Sequence, residues 1–143
     1  MRKHAKAIVL AVITSIVGCS GYFIAQYNPA IDNGATRLSE EVDDFLIELE
    51  STAGTPAGAY ERHAPAYDEL RAEIETLRAV AVAQRGNDLT VHSLDLIAEN
   101  LTKLETLHTD GISAEELRVV RTLFDSQFRM LVQLENAKKR KEG

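Results

Sequence analysis

The sequence contains a single cysteine, no tryptophan and only three prolines among its 143 residues. One cysteine excludes a disulfide bond within the chain and a zinc site built from several thiolates. The scarcity of proline leaves long stretches rich in Ala, Leu, Glu and Arg, which have high helix propensities. An apolar fraction of 45% with 27% charged residues is typical of one folded domain and not of a disordered chain.

The sequence also lacks the short motifs that mark common enzyme classes. It has no Gly-x-Ser-x-Gly nucleophile elbow, no His-Glu-x-x-His zinc helix, no phosphate-binding Walker loop and no haem-attachment motif. Its many acidic residues fall on solvent-facing positions of the predicted helices until Glu135. A carboxylate on a solvated face has no cause for a raised pKa, which acid–base catalysis by a carboxyl group requires. We therefore expect a protein that is not an enzyme and that needs no cofactor.

Basic residues are concentrated near the two ends of the chain, and the segment between them is strongly acidic. Arg2, Lys3 and Lys6 precede the first apolar run, and residues 138–141 read Lys-Lys-Arg-Lys. The net charge of −6 for the whole chain therefore understates the negative charge of the middle. Because an acidic body repels phosphate backbones, we expect no binding to nucleic acid.

The first nineteen residues have the parts of a secretory signal. A basic segment is followed by eleven mostly apolar residues, 7–17, and a small residue, Gly18, precedes the cysteine. This pattern predicts that the rest of the chain lies outside the cytoplasm, in the cell envelope.

The residues Ile16-Val17-Gly18-Cys19 resemble the lipobox of bacterial lipoproteins. The resemblance implies that the signal is removed before Cys19 and that this thiol carries a lipid. It also implies, through Ser20, transfer to the outer membrane. It covers only the signal and implies nothing about the domain that follows.

A second interpretation of the same segment is a transmembrane anchor that is not cleaved. The apolar run continues past Cys19 to Ala25, which gives nineteen residues from Ala7, close to the roughly twenty that cross a bilayer as a helix. Tyr22 and Tyr27 would then lie at the membrane interface. Both interpretations keep the basic N-terminus inside and everything from about residue 28 outside. The expected location is the periplasmic side of the envelope, as an outer-membrane lipoprotein or a single-pass inner-membrane protein.

The remainder of the chain predicts helices separated by turn residues. Apolar side chains recur three and four positions apart, the spacing of one helix face, and Gly86-Asn87 and Asp110-Gly111 interrupt them. Ser113 and Glu116 form a capping box. The predicted helices span residues 35–50, 65–85, 88–109 and 114–139.

The connections between these helices are short, so neighbouring helices should be antiparallel. The predicted fold class is all-α, an antiparallel up-down bundle of three to four helices behind the N-terminal signal or anchor helix. Helix 1 is the short, partial fourth member. Residues 1–25 are the signal or anchor, 26–34 a turn-rich tether and 35–143 the bundle domain. Pro65 must kink or divide helix 2.

This topology places the basic tail, Lys138, Lys139, Arg140 and Lys141, at the end of the bundle next to the membrane. There it could bind anionic lipid head groups. The alternative is that these cations only stabilise the C-terminus of a helix.

His63 and His108 form the one predicted constellation. They lie twenty-three and twenty-two residues from Gly86 on antiparallel helices, so they should reach similar height at the membrane-distal end. Tyr60, Tyr67, Glu115 and Glu116 are the expected neighbours. Two imidazoles and a carboxylate would suit a metal or a pH sensor. The alternative is a pair of hydrogen-bonded histidines at a bundle end.

Helix 4 carries two further features. Arg121, Asp125 and Arg129 form an i, i+4 ladder, which decorates a solvated face or recognises a partner. Val119, Met130 and Val132 fall outside its main apolar stripe. Together with a short helix 1, they predict an exposed apolar groove for a partner helix, unless the tether or a second copy of the chain covers it.

These observations favour a membrane-anchored, extracytoplasmic helical accessory protein that docks another envelope protein. The alternative is a sensor that binds a metal or small ligand at the His63 and His108 end. A homo-oligomer is compatible with either function.

Overall fold

A computed structural model of the chain describes residues 25–142. The described residues form helices and no strand, which confirms the all-α fold class. A single turn of 3-10 helix, Pro56–Gly58, lies between the first two α-helices. The α-helices are α1 (Pro29–Thr52), α2 (Tyr60–Ala83), α3 (Asp88–Asp110) and α4 (Ala114–Glu142).

The four helices form a square, up-down-up-down bundle. Helix α1 packs against α2 and α4, and α3 packs against the same two neighbours, whereas the diagonal pairs make no close backbone approach. One continuous core runs along the bundle axis, and every helix contributes to it with apolar residues three and four positions apart. The largest fully buried side chains include Tyr67, Phe124, Ile31, Leu46, Ile74, Leu94 and Leu101.

Helix α1 is a full member of the bundle, so the predicted tether and the prediction of a short helix 1 are wrong. The helix begins at Pro29, and the Asn28 side chain caps it by accepting a hydrogen bond from the Ala30 amide at 2.9 Å. Ile31 and Ala35 are fully buried, because they extend the apolar stripe by two turns towards the N-terminus. Residues 29–34 therefore belong to α1, where Ile31 and Gly34 are buried, and are not a linker.

Helix α2 passes through Pro65 without dividing, so of the two predicted effects of this proline, a kink or a division, the division is wrong. Thr55 and Pro56 begin only the 3-10 turn, and the α-helix starts at Tyr60. Pro65 is exposed in the second turn of α2, where its missing amide removes only the hydrogen bond to the carbonyl of Glu61. The seam that begins at Tyr60 therefore keeps its register.

The predicted starts of α3 and α4 are confirmed, whereas α3 ends one residue and α4 three residues later than predicted. Gly86 and Gly111 have positive φ angles of 79° and 94°, which only glycine adopts without strain. The Ser113 amide donates to Glu116 Oε2 at 2.9 Å, and the Glu116 amide donates to Ser113 Oγ at 3.2 Å. This reciprocal pair is a capping box and starts α4 at Ala114.

The predicted signal, the lipobox with Cys19 and the alternative membrane anchor all lie outside the described residues, apart from Ala25 at the end of the anchor range. Within residues 25–142, none of the helices combines the length and the apolar character that a membrane crossing requires.

Candidate functional site

The N-terminal end of the described chain is fastened to the end of the bundle that carries the α2–α3 turn. The Ala25 amide donates to the Gly86 carbonyl at 3.0 Å, and the Gln84 amide group donates to the Gln26 carbonyl at 2.6 Å. The Lys139 ammonium group lies 5.2 Å from the centroid of the Tyr27 ring, a cation–π contact. The entry of the chain and the end of α4 therefore share one end of the bundle, here called the entry end.

Lys138 is buried at this end, so the prediction that it belongs to a basic membrane-facing tail is wrong. Its ammonium group donates to Glu135 Oε1 at 2.6 Å, to Thr90 Oγ1 at 2.8 Å and to Asn87 Oδ1. All three ammonium hydrogens are thus used inside the protein. Lys139, Arg140 and Lys141 remain exposed, and they form the basic surface of the entry end.

Glu135 is completely buried and forms the centre of this polar cluster. Its Oε1 atom accepts hydrogen bonds from Lys138 and, at 2.7 Å, from the Thr90 hydroxyl group. Its Oε2 atom accepts none from the described residues. Because Asn87 and Thr90 lie at the start of α3, the cluster fixes the register of α3 against the last turns of α4.

The opposite end of the bundle brings His63 and His108 together, as their spacing from Gly86 predicts. Both rings are buried, and their centroids lie 5.6 Å apart. His63 Nε2 lies 3.0 Å from the Ala57 carbonyl oxygen, and His108 Nε2 lies 2.8 Å from that of Gly58. A carbonyl oxygen can only accept, so both Nε2 atoms carry a hydrogen and donate. The two histidines hold the 3-10 turn against the bundle.

Tyr67 completes this end of the core. Its hydroxyl group lies 3.0 Å from His108 Nδ1, which accepts the hydrogen bond in the neutral tautomer defined by the Gly58 contact. Its ring packs edge-on against Phe45, with centroids 4.9 Å apart. The Tyr60 ring lies edge-on to His108 at 5.8 Å, and its hydroxyl group donates to Glu105 at 2.9 Å. The predicted tyrosine neighbours are therefore both present.

The predicted carboxylate neighbours differ. Glu116 is engaged in the α4 capping box, and the carboxylate nearest to His63 is that of Glu48, 3.9 Å from Nδ1. Among the described side chains, no group of three or more His, Cys, Asp or Glu residues could hold a metal ion. The imidazoles of His63 and His108 thus serve as hydrogen-bonding parts of the core, and metal binding stays a prediction that lacks a third ligand in the part of the chain described.

Gly58 explains why the 3-10 turn sits where the histidines can reach it. A Cβ atom at this position would lie 2.4 Å from the backbone oxygen of Thr52, at the end of α1. Only glycine therefore allows the turn to pack directly on the end of that helix.

Burial raises the pKa of Tyr67 above its usual value of about 10, and this predicts a loss of stability at alkaline pH. The unfolded chain releases the phenolic proton at a lower pH than the folded one. The stabilising effect is therefore complete below pH 10 and declines as the pH rises further, by up to about 1.4 kcal/mol per pH unit. Urea unfolding of the fragment 25–143 between pH 8 and 11.5 measures this slope. Tyr67→Phe should reduce the slope, and an equal slope in that variant would contradict the assignment.

The predicted ladder on α4 is broken, because Arg121 turns to α1. Its guanidinium group makes a two-pronged contact with Asp43, with distances of 2.5 Å from Nε to Oδ1 and 3.0 Å from Nη2 to Oδ2. The hydrogen bond to Asp43 raises the pKa of the Arg121 guanidinium group above its usual value, because it stabilises the charged form. Asp125 pairs with Arg129 alone. Arg121 and Asp125 still lie on one wall of an open groove between α1 and α4, where Phe124 contributes to the lining.

Ion pairs cross three of the four seams between neighbouring helices. They tie α1 to α4, α2 to α3 and, more loosely, α1 to α2. On the surface of the described residues, no ion pair joins α3 to α4. The crossing pairs are Arg118–Glu50, Arg121–Asp43, Arg71–Glu105, Arg78–Asp95 and Arg37–Glu73.

Large apolar side chains occupy the α3–α4 side instead. Of the residues that predicted an apolar groove, Val119 and Met130 are 68% and 65% exposed, whereas Val132 is partly buried and packs against the core. Leu107 and Leu123 are also exposed. The exposed apolar surface is thus present, although its predicted cause, a short helix 1, is not.

Comparisons with models of protein families, with curated proteins and with solved structures find no match to this chain. The fold places it in the class of antiparallel four-helix bundles. What the chain does must therefore be argued from its own surfaces.

Proposed function

We propose that this protein is a non-enzymatic interaction protein of the bacterial cell envelope. The segment 1–25 attaches it to a membrane, and the bundle lies on the periplasmic side, where it docks another envelope protein. Attachment occurs through a lipid on Cys19 at the outer membrane or, alternatively, through a single transmembrane span in the inner membrane.

The observation that carries the proposal is the arrangement of the entry end. The amide of Ala25, the last residue of the N-terminal apolar run, donates to the Gly86 carbonyl at the end of the bundle where α4 finishes. Lys139, Arg140 and Lys141 are exposed at the same end. A leader held in a bilayer would bring these cations to the lipid head groups, where each contributes about 1 kcal/mol near an anionic surface. The strongly acidic remainder of the bundle would face away from that surface.

The groove between α1 and α4 is the candidate docking surface for the envelope partner. The charged side chains of Asp43, Arg118 and Arg121 line it, and the buried rings of Phe124 and Phe128 lie beneath its floor. Charged groups placed around a groove give specificity and fast association at protein interfaces.

Attachment is tested by palmitate labelling and by the intact mass of the full-length chain and of Cys19→Ala. A lipoprotein incorporates the label and loses residues 1–18, and Cys19→Ala abolishes both changes. An anchored chain keeps its full mass, takes up no label and stays in the inner-membrane fraction in both forms. Recovery of either form in the soluble cytosolic fraction would overturn the proposal.

Docking is tested by chemical cross-linking in intact cells that express the full-length chain. We expect Arg121→Glu to reduce a cross-linked product with another envelope protein several-fold, because it reverses the charge in the groove. Arg129→Glu is the matched control, since Arg129 pairs with Asp125 on its own helix and does not line the groove. Equal yields from the two variants would exclude this groove as the docking surface.

A further inference from the structure

Most of the exposed apolar surface of the bundle is concentrated on one side. Eight large apolar side chains are exposed among the described residues, and six of them belong to α3 and α4. These six define what we call the α3–α4 face. They are Leu89, Leu96, Leu107, Val119, Leu123 and Met130.

The helical positions of these residues put them on the side where α3 and α4 meet. Leu107 follows Glu105 by two residues, about 200° around a helix, and Glu105 pairs with Arg71 of α2. Leu107 therefore points away from α2 and towards the α4 side. By the same argument, Leu123 lies two residues beyond Arg121, which pairs with α1, and so it points towards the α3 side.

The two walls of the face are level with one another. The hydrogen bond between Thr90 and Glu135 sets the antiparallel register of α3 and α4. Leu96 lies six residues after Thr90 and Met130 lies five residues before Glu135, so these two side chains are at nearly the same height along the bundle. By the same count, Leu107 on α3 is at nearly the same height as Val119 on α4. The six residues thus lie along one side of the bundle, where Lys103, paired with Glu99 of its own helix, is the charged residue on the same stripe of α3.

Helix α4 has a second heptad seam outside the core. Apolar or uncharged residues recur there at spacings of four, three, four, three and four, the pattern of a coiled-coil interface. No charged residue interrupts the seam, and no surface ion pair crosses from α3 to α4 among the described residues. Depletion of charge is the compositional mark of an interface core. The seam consists of Val119, Leu123, Ser126, Met130, Gln133 and Ala137.

The size of the face fits a second copy of the chain. From their exposed fractions, the six side chains offer on the order of 600 Å² of accessible surface, against about 800 Å² per partner in a standard interface. Ser126 and Gln133, which are uncharged and exposed on the same side of α4, add to this area. We propose that two copies of the protein associate through their α3–α4 faces around a two-fold axis.

The direction of the axis rests on the proposed membrane attachment. Two copies held by the same membrane have their entry ends at the same level, so the two α4 helices run parallel. Each seam residue then meets its own counterpart, Val119 facing Val119 and Met130 facing Met130. Parallel in-register seams of this kind are the arrangement of two-stranded coiled coils.

Disulfide cross-linking of the full-length chain in membranes tests the parallel arrangement. Val119→Cys should form a cross-linked dimer in several-fold excess over Val82→Cys, a matched valine that is 57% exposed on α2. The parent chain, with Cys19 alone, gives the background. Cross-linking no greater than in Val82→Cys would overturn the parallel dimer. Efficient cross-linking only between Val119→Cys and Ala137→Cys would overturn the parallel direction while supporting self-association. A cross-link to a different protein would overturn the second copy as the occupant.

The mass of the full-length chain in mild detergent tests the face independently of the membrane. We expect a dimer for the parent chain and for Val82→Lys. Met130→Lys places two cations opposite each other at the interface and should raise the dimer Kd by roughly 100-fold or more. Because Met130 is exposed in the single bundle, the variant should keep its helical circular dichroism. A monomeric parent at micromolar concentration, or an unaltered Kd in Met130→Lys, would overturn the proposal. A monomeric parent that still fractionates with membranes would leave the proposed attachment intact.

Discussion

Lys138→Met should lower the free energy of unfolding of the fragment 25–143 by about 3–5 kcal/mol, the usual cost of removing one partner of a buried ion pair. The substitution preserves the aliphatic length of the side chain, so packing changes little. It leaves the fully buried carboxylate of Glu135 with only the Thr90 hydroxyl group as a donor. Urea unfolding followed by helical circular dichroism measures the change.

The control is Lys139→Met, the same change one residue along on an exposed position, which should alter stability by less than about 0.5 kcal/mol. Combining Lys138→Met with Glu135→Leu should recover most of the loss, since replacing both members of a buried pair by apolar groups is often neutral or stabilising. If Lys138→Met were as mild as Lys139→Met, the burial of Lys138 would be disproved.

His108→Ala should lower the free energy of unfolding by roughly 3 kcal/mol, from the cavity that it creates and from the hydrogen bonds that it removes. The variant leaves two groups without their hydrogen-bond partner. These are the hydroxyl group of the completely buried Tyr67 and the carbonyl of Gly58. We expect it also to free the 3-10 turn, so protease cleavage at residues 53–59 should become faster.

A double-mutant cycle with Tyr67→Phe isolates the hydrogen bond from the cavity. Tyr67→Phe leaves His108 Nδ1 without its donor, and His108→Ala leaves the Tyr67 hydroxyl group without its acceptor, whereas the double variant leaves neither member of this hydrogen bond unpaired. The unpaired carbonyl of Gly58 is common to His108→Ala and the double variant, so it cancels in the cycle. The cycle should therefore give a coupling energy of about 0.5–1.5 kcal/mol. Purely additive effects would mean that the hydroxyl group and His108 Nδ1 do not interact. Unchanged cleavage at the turn in His108→Ala would mean that the imidazole does not hold it.

The sequence was sufficient where local chemistry and long-range packing agree. Gly86, Gly111 and the capping box of Ser113 with Glu116 set the ends of α3 and α4, and the structure begins both helices at the predicted residues. The nearly equal spacing of His63 and His108 from the α2–α3 turn is enough to predict that they reach similar height, because Pro65 leaves the register of α2 intact.

Two errors came from giving composition more weight than position. The segment 29–34 contains Asp, Asn and Gly, which favour turns, but Asn28 and Pro29 form a helix start, and Ile31 continues the apolar stripe. Lys138 was grouped with its basic neighbours, although it falls three residues after Glu135 on the core seam of α4. In both cases the spacing of core-facing positions, three and four residues apart, indicates the structure that is observed.

Other features depend on the tertiary structure and cannot be read from one helix at a time. Arg121 pairs with Asp43, seventy-eight positions away, although Asp125 stands one turn along the same helix. The choice depends on how closely α1 approaches α4, which no local pattern specifies. The contact of Gly58 with the end of α1 has the same origin.

The short connection between Ala25 and α1 limits how far an anchored bundle could stand from its membrane. Only three residues separate Ala25 from Pro29, and all three contact the bundle directly. A bundle anchored by a transmembrane span that ends at Ala25 would have no flexible linker with which to extend across the periplasm. The bundle would reach no farther from the membrane than its own height, at most about 44 Å for the longest helix at 1.5 Å per residue. A partner protein would have to approach the membrane to within that distance to bind the bundle.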